Sequence, residues 1–201
     1  MIQIKELDNK GQIREIALLH IKAFPSFFLT QLGYSFLKTL YKGYLEDELS
    51  GIIIAEDNGQ LLGFLAYSKD YSSFFKKLVK HHLFEFALYS VKTAVLNPST
   101  IKRILLAFNK SEDVKREEQY VELASICVDP SCESKGIGTA LITYLKSIID
   151  FDEYEYITLE TDAESNDRAN SFYLNNGFTL NRSYTVNNSR KMNEYRYYQE
   201  K

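Results

Sequence analysis

Two glycines in the segment that begins at Val128 are placed where they could bind a phosphate. The segment reads VDPSCESKGIGTAL and passes from a predicted strand into a predicted helix. Gly136 and Gly138 let the backbone approach a ligand closely and adopt positive φ. The free amides of the first helical turn, at the positive end of the helix dipole, then form an anion site suited to a pyrophosphate. Lys135 adds a positive charge and Thr139 a hydroxyl.

This turn differs from two well-known phosphate-binding motifs. Leu141 stands where a dinucleotide fingerprint has its third Gly or Ala. A P-loop is excluded because no Gly-Lys-Ser/Thr sequence follows. The turn alone therefore leaves two interpretations open, a phosphate site or a glycine-rich connection between a strand and a helix.

The residues after the next predicted strand form a second polar segment. They read ESNDRANSFYLNNGF over residues 164–178. Ser165 and Asn166 are of the types that begin helices, so a helix is predicted over 165–176 with Asn166 available as its N-cap. Gly177 supplies the left-handed residue at which helices commonly end.

The hydrophobic pattern around these segments predicts a mixed α/β domain. The Asn58–Gly59 pair predicts a tight hairpin turn, and Pro25 predicts the end of the first helix. Strands are predicted over 2–7, 51–55, 61–67, 121–128, 154–159, 178–186 and 192–198, with a turn at 187–188 between the last two. Helices are predicted over 13–23, 30–45 (with Thr30 as N-cap), 74–96, 100–108, 136–149 and 165–176.

Composition is that of a globular protein and excludes several classes. The 201 residues are 45% hydrophobic with a formal net charge of −3, so bulk charge does not indicate a nucleic-acid partner. Two cysteines, Cys127 and Cys132, are too few for a disulfide framework, and no Cys and His group has the spacing of zinc ligands. No secretory leader or apolar stretch of about 18 residues is recognised. We therefore expect one cytoplasmic domain over residues 1–201, without metal, nucleic acid or an integral membrane segment.

Residues 69–118 interrupt the pattern between the third and fourth strands and are predicted to be a helical insertion. Within it, residues 69–110 hold eight Lys or Arg and two acidic residues, with aromatic residues between them. Three interpretations stay open. The insertion is a lid over an anionic acceptor such as a nucleotide sugar, an amphipathic helix on anionic lipid, or a helical cover or homodimer face with solvated lysines.

The two polar segments together resemble the GCN5-related N-acetyltransferase (GNAT) superfamily. That family shows a Gln/Arg-x-x-Gly-x-Gly/Ala turn and then an Asn…Ala…Phe/Leu-Tyr…Gly-Phe segment. Here these are residues 133–138 and 166–178, with Glu133 at the first position of the turn and Ser134 where Gly is common. The resemblance covers residues 120–198. It implies the α/β GNAT fold, a mixed central sheet of about seven strands flanked by helices.

The resemblance implies an acetyl-CoA site without a metal. In the family, the fourth strand splays from the fifth, and the pantetheine arm lies in the opening against the fourth strand's backbone. In this sequence that backbone belongs to Ile126, Cys127 and Val128, and Asn166 matches the family's asparagine beside the coenzyme. The phosphates would be held by the residues of the turn, which are Ser134, Lys135, Gly136, Ile137, Gly138 and Thr139.

The resemblance also implies two catalytic residues. Tyr173 matches the family's general acid, and a phenol can protonate a thiolate as it leaves. Glu122 matches an acidic residue that some members carry near the start of the fourth strand, where a carboxylate takes a proton from an acceptor amine. Glu160 and water are the other candidates for this base. The alternatives are a tyrosine used for packing and a surface glutamate.

The expected activity is acetyl transfer from acetyl-CoA to a primary amine of a small molecule, for example an amino sugar or nucleotide sugar, by direct attack in a ternary complex. Two other functions stay open: a non-catalytic acyl-CoA-binding module, and acetylation of a protein or peptide amine. The connection at 24–28 places three Phe around Pro25. It either lines an acceptor pocket or staples the first two helices together.

Overall fold

The computed structural model describes residues 1–82, 118–132, 135–186 and 190–199. Most of the insertion at 69–118, the turn residues Glu133 and Ser134, and the predicted turn at 187–188 lie outside the described residues. The described part is built on one mixed sheet with helices on both faces.

Seven strands form this sheet in the described ranges, as the sequence predicts. Their spatial order is β1-β2-β3-β4-β5-β7-β6. Every neighbouring pair is antiparallel except β4 and β5, which run parallel. The strands are β1 Gln3–Glu6, β2 Ser50–Asp57, β3 Gln60–Ser68, β4 Tyr120–Val128, β5 Tyr156–Asp162, β6 Thr179–Val186 and β7 Arg190–Tyr197.

The helices cover both faces of the sheet because the strands present apolar side chains on both. Ile52 and Ile54 of β2 face one core, in which α1 and α3 pack, whereas Ile53 faces the other core with α5. The helices are α1 Ile13–Ala23, α2 Phe28–Gln31, α3 Tyr34–Glu46, α4 at residues 71–82, α5 Ile137–Ile148 and α6 Asp167–Asn175. Short 3-10 turns occupy Lys10–Gln12 and Pro130–Cys132. In the described ranges, none of the helices has the length and apolar character needed to cross a membrane.

The helix predicted over 30–45 is wrong as a single element, because it is divided in two. Gly33 has φ of +91°, which a right-handed helix does not include, so α2 ends before it and α3 begins after it. Thr30 is not an N-cap either. Its hydroxyl donates to the carbonyl oxygen of Phe24 at 2.7 Å and thereby fixes the connection between α1 and α2.

The turn signals in the sequence are confirmed. Asn58 and Gly59 have φ of +50° and +78°, the mirror-image conformation that a two-residue hairpin requires. Gly177 follows α6 with φ of +80°, and α1 ends at Ala23, two residues before Pro25. β5 extends beyond its predicted end to Asp162, so Glu160 lies within the strand.

Candidate active site

β4 and β5 are paired at one end only, so an opening separates them along the rest of their length. Their ladder ends at the pair formed by Glu122 and Thr158. β4 continues to Val128 and β5 to Asp162 without further pairing between them. The splay implied by the sequence resemblance is therefore present.

The backbone of β4 turns two of its residues toward this opening. The Asp129 amide donates to the carbonyl oxygen of Leu62 at 2.8 Å, which sets the phase of the antiparallel ladder between β3 and β4. Because hydrogen-bonded and non-hydrogen-bonded pairs alternate, Cys127 directs its N–H and C=O to β3. Ile126 and Val128 direct theirs toward β5, whose ladder with β4 has already ended.

Cys127 belongs to the core rather than to the opening. It is 2% exposed, its Sγ lies 3.7 Å from the carbonyl oxygen of Leu19, and burial raises the pKa of its thiol to about 12. A protonated, buried thiol is a poor nucleophile. Of the three residues whose backbone the resemblance assigns to the coenzyme, Ile126 and Val128 face the opening and Cys127 does not.

The glycine turn leads into α5 with open amides. Gly136 is the N-cap and has φ of +74°, a left-handed conformation that glycine adopts without strain. No side chain caps α5, so among the described residues the first-turn amides of Ile137, Gly138 and Thr139 have no acceptor. Lys135 is exposed beside them. This is the geometry of an anion site at a helix N-terminus.

Gly138 is also required by packing, which the sequence did not suggest. It is not among the residues with positive φ. A Cβ at this position would lie 2.9 Å from Cζ of Phe172, closer than real Cβ contacts come. Position 138 therefore needs a glycine because α6 packs closely against α5 there. Position 136 needs one because its backbone is left-handed.

Tyr173 is held in the core by other aromatic rings. It is 8% exposed, and its ring centroid lies 5.4, 6.1 and 6.0 Å from those of Phe172, Phe178 and Tyr195. Burial raises the pKa of its hydroxyl to about 12, so the phenol keeps its proton at neutral pH. No described residue hydrogen-bonds to this hydroxyl. A protonated phenol is in the state that a general acid requires.

Asn166 is the N-cap of α6 by position, but its side chain bonds to β5. Its Nδ2 donates to Oγ1 of Thr161 at 2.7 Å and to the carbonyl oxygen of Asp162 at 3.4 Å. Asn170 reinforces the link, because its Nδ2 donates to the carbonyl oxygens of Asp162 and Asn166 at 3.0 and 2.9 Å. Sequence reasoning missed Asn170, since an Asn inside a helix carries no signal for a partner on another element.

Two carboxylates flank Thr158 where the opening begins. Glu122 pairs with Thr158 across the sheet, and Glu160 lies two residues further along β5, on the same face because side chains alternate. Burial and the charges of Glu122 and Glu160 raise the pKa of Tyr71 in α4. Burial and a hydrogen bond with Glu160 raise the pKa of Tyr184 in β6. Two negative charges among tyrosine rings attract a protonated amine.

The aromatic connection after α1 packs against the end of that helix. Phe24 and Phe27 lie 5.2 and 6.0 Å from the ring of His20 and 6.2 Å from each other, measured between centroids. These contacts favour a role in packing the first two helices together over a role in lining an acceptor pocket. In the described ranges, no group of three or more His, Cys, Asp or Glu could hold a metal ion.

Comparison with known sequences finds a family model that matches part of the chain. Residues 100–178 match the family model described as the Acetyltransferase (GNAT) family. This part of the chain is similar to the GNAT acetyltransferases. No curated protein sequence matches the chain.

Solved GNAT structures share the fold over nearly the whole chain. A GNAT-family acetyltransferase from Bacillus cereus is 13% identical, with a TM-score of 0.62 over 100% of this chain and 99% of that one. An N-acetyltransferase from Staphylococcus aureus is 14% identical, with a TM-score of 0.62 over 98% of each chain. A protein from Salmonella typhimurium, described as an acetyltransferase with its cofactor acetyl-CoA, is 12% identical, with a TM-score of 0.58 over 98% and 93%. At these identities the likeness shows the fold alone.

The opening and the start of α5 offer groups that suit the two parts of a coenzyme A molecule. The opening beside Ile126 and Val128 offers backbone groups to an extended amide chain, which is the chemistry of an added β-strand. The amides at the start of α5 offer donors to phosphate oxygens. The two features adjoin, because the turn that starts at Val128 leads directly into α5.

Asp129 fixes the start of the glycine turn, and the sequence analysis missed it. Its two carboxylate oxygens accept from Nζ of Lys22 at 2.7 and 2.8 Å. Oδ1 also accepts from the amide and the hydroxyl of Ser131 at 2.8 and 2.7 Å. The hydrogen bonds from Lys22 and Ser131 lower the pKa of Asp129 to about 2. The Asp-Pro-Ser sequence could have indicated the turn, since Asp commonly accepts from the amide two residues on.

Removal of the Asp129 charge should destabilise the folded domain, and the loss should vanish in acid. The folded-state pKa lies below the ordinary value, so the carboxylate stabilises the fold above pH 4, and this contribution disappears as the pH falls through about 2. We expect Asp129→Asn to lower the free energy of unfolding at pH 7 by about 2 kcal/mol. Urea unfolding at pH 7 and at low pH measures the difference, and an equal loss at both would contradict this account.

The two glycines should respond differently to alanine. Gly136→Ala meets no neighbour, but its φ of +74° should cost about 1 kcal/mol of stability. Gly138→Ala should cost about 1–3 kcal/mol by overpacking Phe172, and Phe172→Leu in the same chain should restore part of it. Thermal unfolding of the three variants tests this. A Gly138→Ala protein as stable as wild type would show that no such contact exists.

Proposed function

We propose that the protein moves an acetyl group from acetyl-CoA to a primary amine of a small molecule, by direct attack while both substrates are bound. The observation that carries the proposal is the opening between β4 and β5. The Glu122–Thr158 pair lies at one end of this opening. The other end is followed by α5, whose first amides are not capped by a side chain. The coenzyme supplies the activated thioester.

The chain's own residues supply binding and proton transfer. The amides at the start of α5 bind the phosphates, and the backbone of Ile126 and Val128 aligns the pantetheine arm. Glu122 attracts the protonated amine and takes its proton, with Glu160 beside it as the second candidate. Tyr173, which keeps its proton at neutral pH, donates to the leaving sulfur.

Acetyl-CoA should stabilise the folded protein. A ligand at a hundredfold excess over its dissociation constant adds about 2.7 kcal/mol to the free energy of unfolding. Thermal or urea unfolding at rising acetyl-CoA concentrations measures this, with pantetheine, which lacks the diphosphate, as the matched control. Millimolar acetyl-CoA with no effect on unfolding would contradict the coenzyme site.

Release of the coenzyme's free thiol over a panel of amines tests the reaction itself. Polyamines, amino sugars, nucleotide amino sugars and peptides cover the acceptor classes. We expect thiol release that depends on a small amine. Binding of acetyl-CoA without thiol release for any amine would favour the non-catalytic acyl-CoA-binding module, and release with peptides alone would favour a protein acceptor.

A further inference from the structure

The side-chain amide of Asn170 joins α6 to two strands of the sheet. Its Nδ2 donates to the carbonyl oxygens of Asp162, the last residue of β5, and Asn166, the N-cap of α6, at 3.0 and 2.9 Å. Its Oδ1 accepts from Nδ2 of Asn193 at 3.0 Å and from the hydroxyl of Tyr195 at 2.9 Å, both in β7. An amide has two N–H donors and an oxygen with two lone pairs, so every position of this side chain is used. An apolar residue would pack here but would not fix α6 to these strands.

The partners of Asn170 are also joined to one another. Asn193 lies opposite Thr161 in the ladder between β5 and β7. Oγ1 of Thr161 accepts from Nδ2 of Asn166 at 2.7 Å. A closed circuit of contacts therefore runs from Asn166 through Thr161 and Asn193 to Asn170, and back to Asn166. Because each member is held by two others, the circuit fixes the start of α6 more firmly than a single hydrogen bond would.

The end of β5 lacks a neighbouring strand on one side. Its ladder with β4 ends at Thr158. In the described ranges, residues 159–162 of β5 therefore pair only with β7. These residues border the opening, and Asn170 bonds to the carbonyl oxygen of the last of them, Asp162. The amide thus holds α6 against the part of β5 that lines the opening.

Tyr173 depends on this placement because it lies one turn further along α6. It follows Asn170 by three residues, and residues three apart lie on the same side of a helix. Tyr195 contacts both of them, since its hydroxyl bonds to Asn170 and its ring centroid lies 6.0 Å from that of Tyr173. The position of the Tyr173 hydroxyl therefore follows from where α6 is held.

We propose that Asn170 is a positioning residue for acetyl transfer, which holds α6 on the end of β5 so that Tyr173 reaches the leaving sulfur. The two donated hydrogen bonds hold the helix, and the two accepted bonds orient the amide. This inference rests on the proposed function, in which Tyr173 is the general acid. A shift of about 1 Å from the reactive geometry can lower a rate by about a hundredfold. A loosened α6 therefore lowers turnover, while the phosphate contacts at α5 keep the coenzyme bound.

Asn170→Leu and Asn170→Asp test the proposal in two ways. Leu has a similar volume and removes all four hydrogen bonds. Asp keeps the acceptor oxygens but cannot donate to the two carbonyl oxygens, and its charge near the start of a helix favours folding. We expect both variants to lower kcat about tenfold, with the dissociation constant of acetyl-CoA changed less than about threefold. An Asn170→Asp protein with wild-type kcat would overturn the proposal.

Ser183→Ala is the matched control, because it removes a hydrogen bond from the same cluster and none from Asn170. The hydroxyl of Ser183 donates to Oδ1 of Asn193 at 2.6 Å. We expect this variant to keep its kcat. Equal losses of kcat in Ser183→Ala and Asn170→Asp would show that any damage to the cluster lowers turnover, which would overturn the particular role of Asn170.

A double-mutant cycle with Tyr173→Phe determines whether Asn170 acts through Tyr173. Residues that act as a unit give losses that are not additive. We expect Asn170→Asp to change the kcat of the Tyr173→Phe protein less than about twofold, because that protein has no proton donor left to misplace. A further loss of about tenfold in the double variant would overturn the proposed link.

Amide hydrogen exchange gives a readout that does not depend on turnover. The amides of Asn176 and Phe178 each donate to the carbonyl oxygen of Tyr173 at 3.1 Å, so their exchange reports how firmly this turn of α6 is held. We expect faster exchange at both in Asn170→Asp and wild-type exchange in Ser183→Ala. Unchanged exchange in Asn170→Asp would overturn the inference. If the wild type transfers no acetyl group to any amine, the proposed function fails, and the exchange comparison still decides whether Asn170 holds α6.

Discussion

Replacement of Tyr173 by Phe is expected to lower kcat by about a hundredfold, the low end of the effect of one general acid. Phe keeps the ring that packs against Phe172, Phe178 and Tyr195 and removes only the proton donor. Since no described residue hydrogen-bonds to the hydroxyl, its loss leaves no buried partner unsatisfied. Stability and the dissociation constant of acetyl-CoA should therefore stay close to wild type. Steady-state kinetics with calorimetric binding measures both quantities.

Tyr195→Phe is the matched control for this experiment. Tyr195 is 2% exposed and lies next to Tyr173, but its hydroxyl bonds to Oδ1 of Asn170 at 2.9 Å. We expect this variant to lose some stability and to keep its turnover. A Tyr173→Phe protein that loses affinity for acetyl-CoA as much as turnover would identify Tyr173 as a binding or packing residue.

Replacement of Glu122 by Gln should lower kcat/KM for the amine by about a hundredfold at pH 7. Without a base, only amine that is already neutral can attack. The neutral fraction rises about tenfold per pH unit until the pKa of the amine, about 10 for a lysine-like group. The variant should therefore recover toward wild type in alkaline solution, and a pH profile of kcat/KM for both proteins measures this.

Glu160→Gln distinguishes the two candidate bases. Glu160 lies on the same face as Glu122 but is hydrogen-bonded to Tyr184. We expect Glu160→Gln to raise KM for the amine by less than about tenfold, because one negative charge that attracts the amine is lost. Its kcat/KM should not recover in alkaline solution. A loss confined to Glu160→Gln, with alkaline recovery in that variant, would assign the base to Glu160. Loss in neither variant would leave water as the base.

The local turns of this fold could be predicted from the sequence because each depends on one or two residues. The Asn58–Gly59 hairpin and the Gly177 cap follow from the positive φ that their residue types tolerate. Gly33 shows the limit of this reasoning. Its apolar neighbours continue the helical spacing of hydrophobic residues, so this spacing gives no sign that the helix is divided. The division is seen only in the φ of +91° at Gly33.

The contacts that join distant segments could not be predicted. Lys22 and Asp129 are 107 residues apart in sequence, and neither position alone indicates the ion pair. The packing of Phe172 against Gly138 could not be predicted either, because the two residues lie on different helices. The opening between β4 and β5 was predicted only from the family resemblance. Strand pairing that ends partway along a strand does not change the hydrophobic pattern of the sequence.

The most direct test of the central claim is a crystal structure of the protein with bound acetyl-CoA. We expect the diphosphate on the amides of Ile137 to Thr139 and the pantetheine arm beside Ile126 and Val128. The thioester sulfur should lie within hydrogen-bond reach of the Tyr173 hydroxyl. A coenzyme bound away from this opening, or a sulfur beyond reach of Tyr173, would contradict the account.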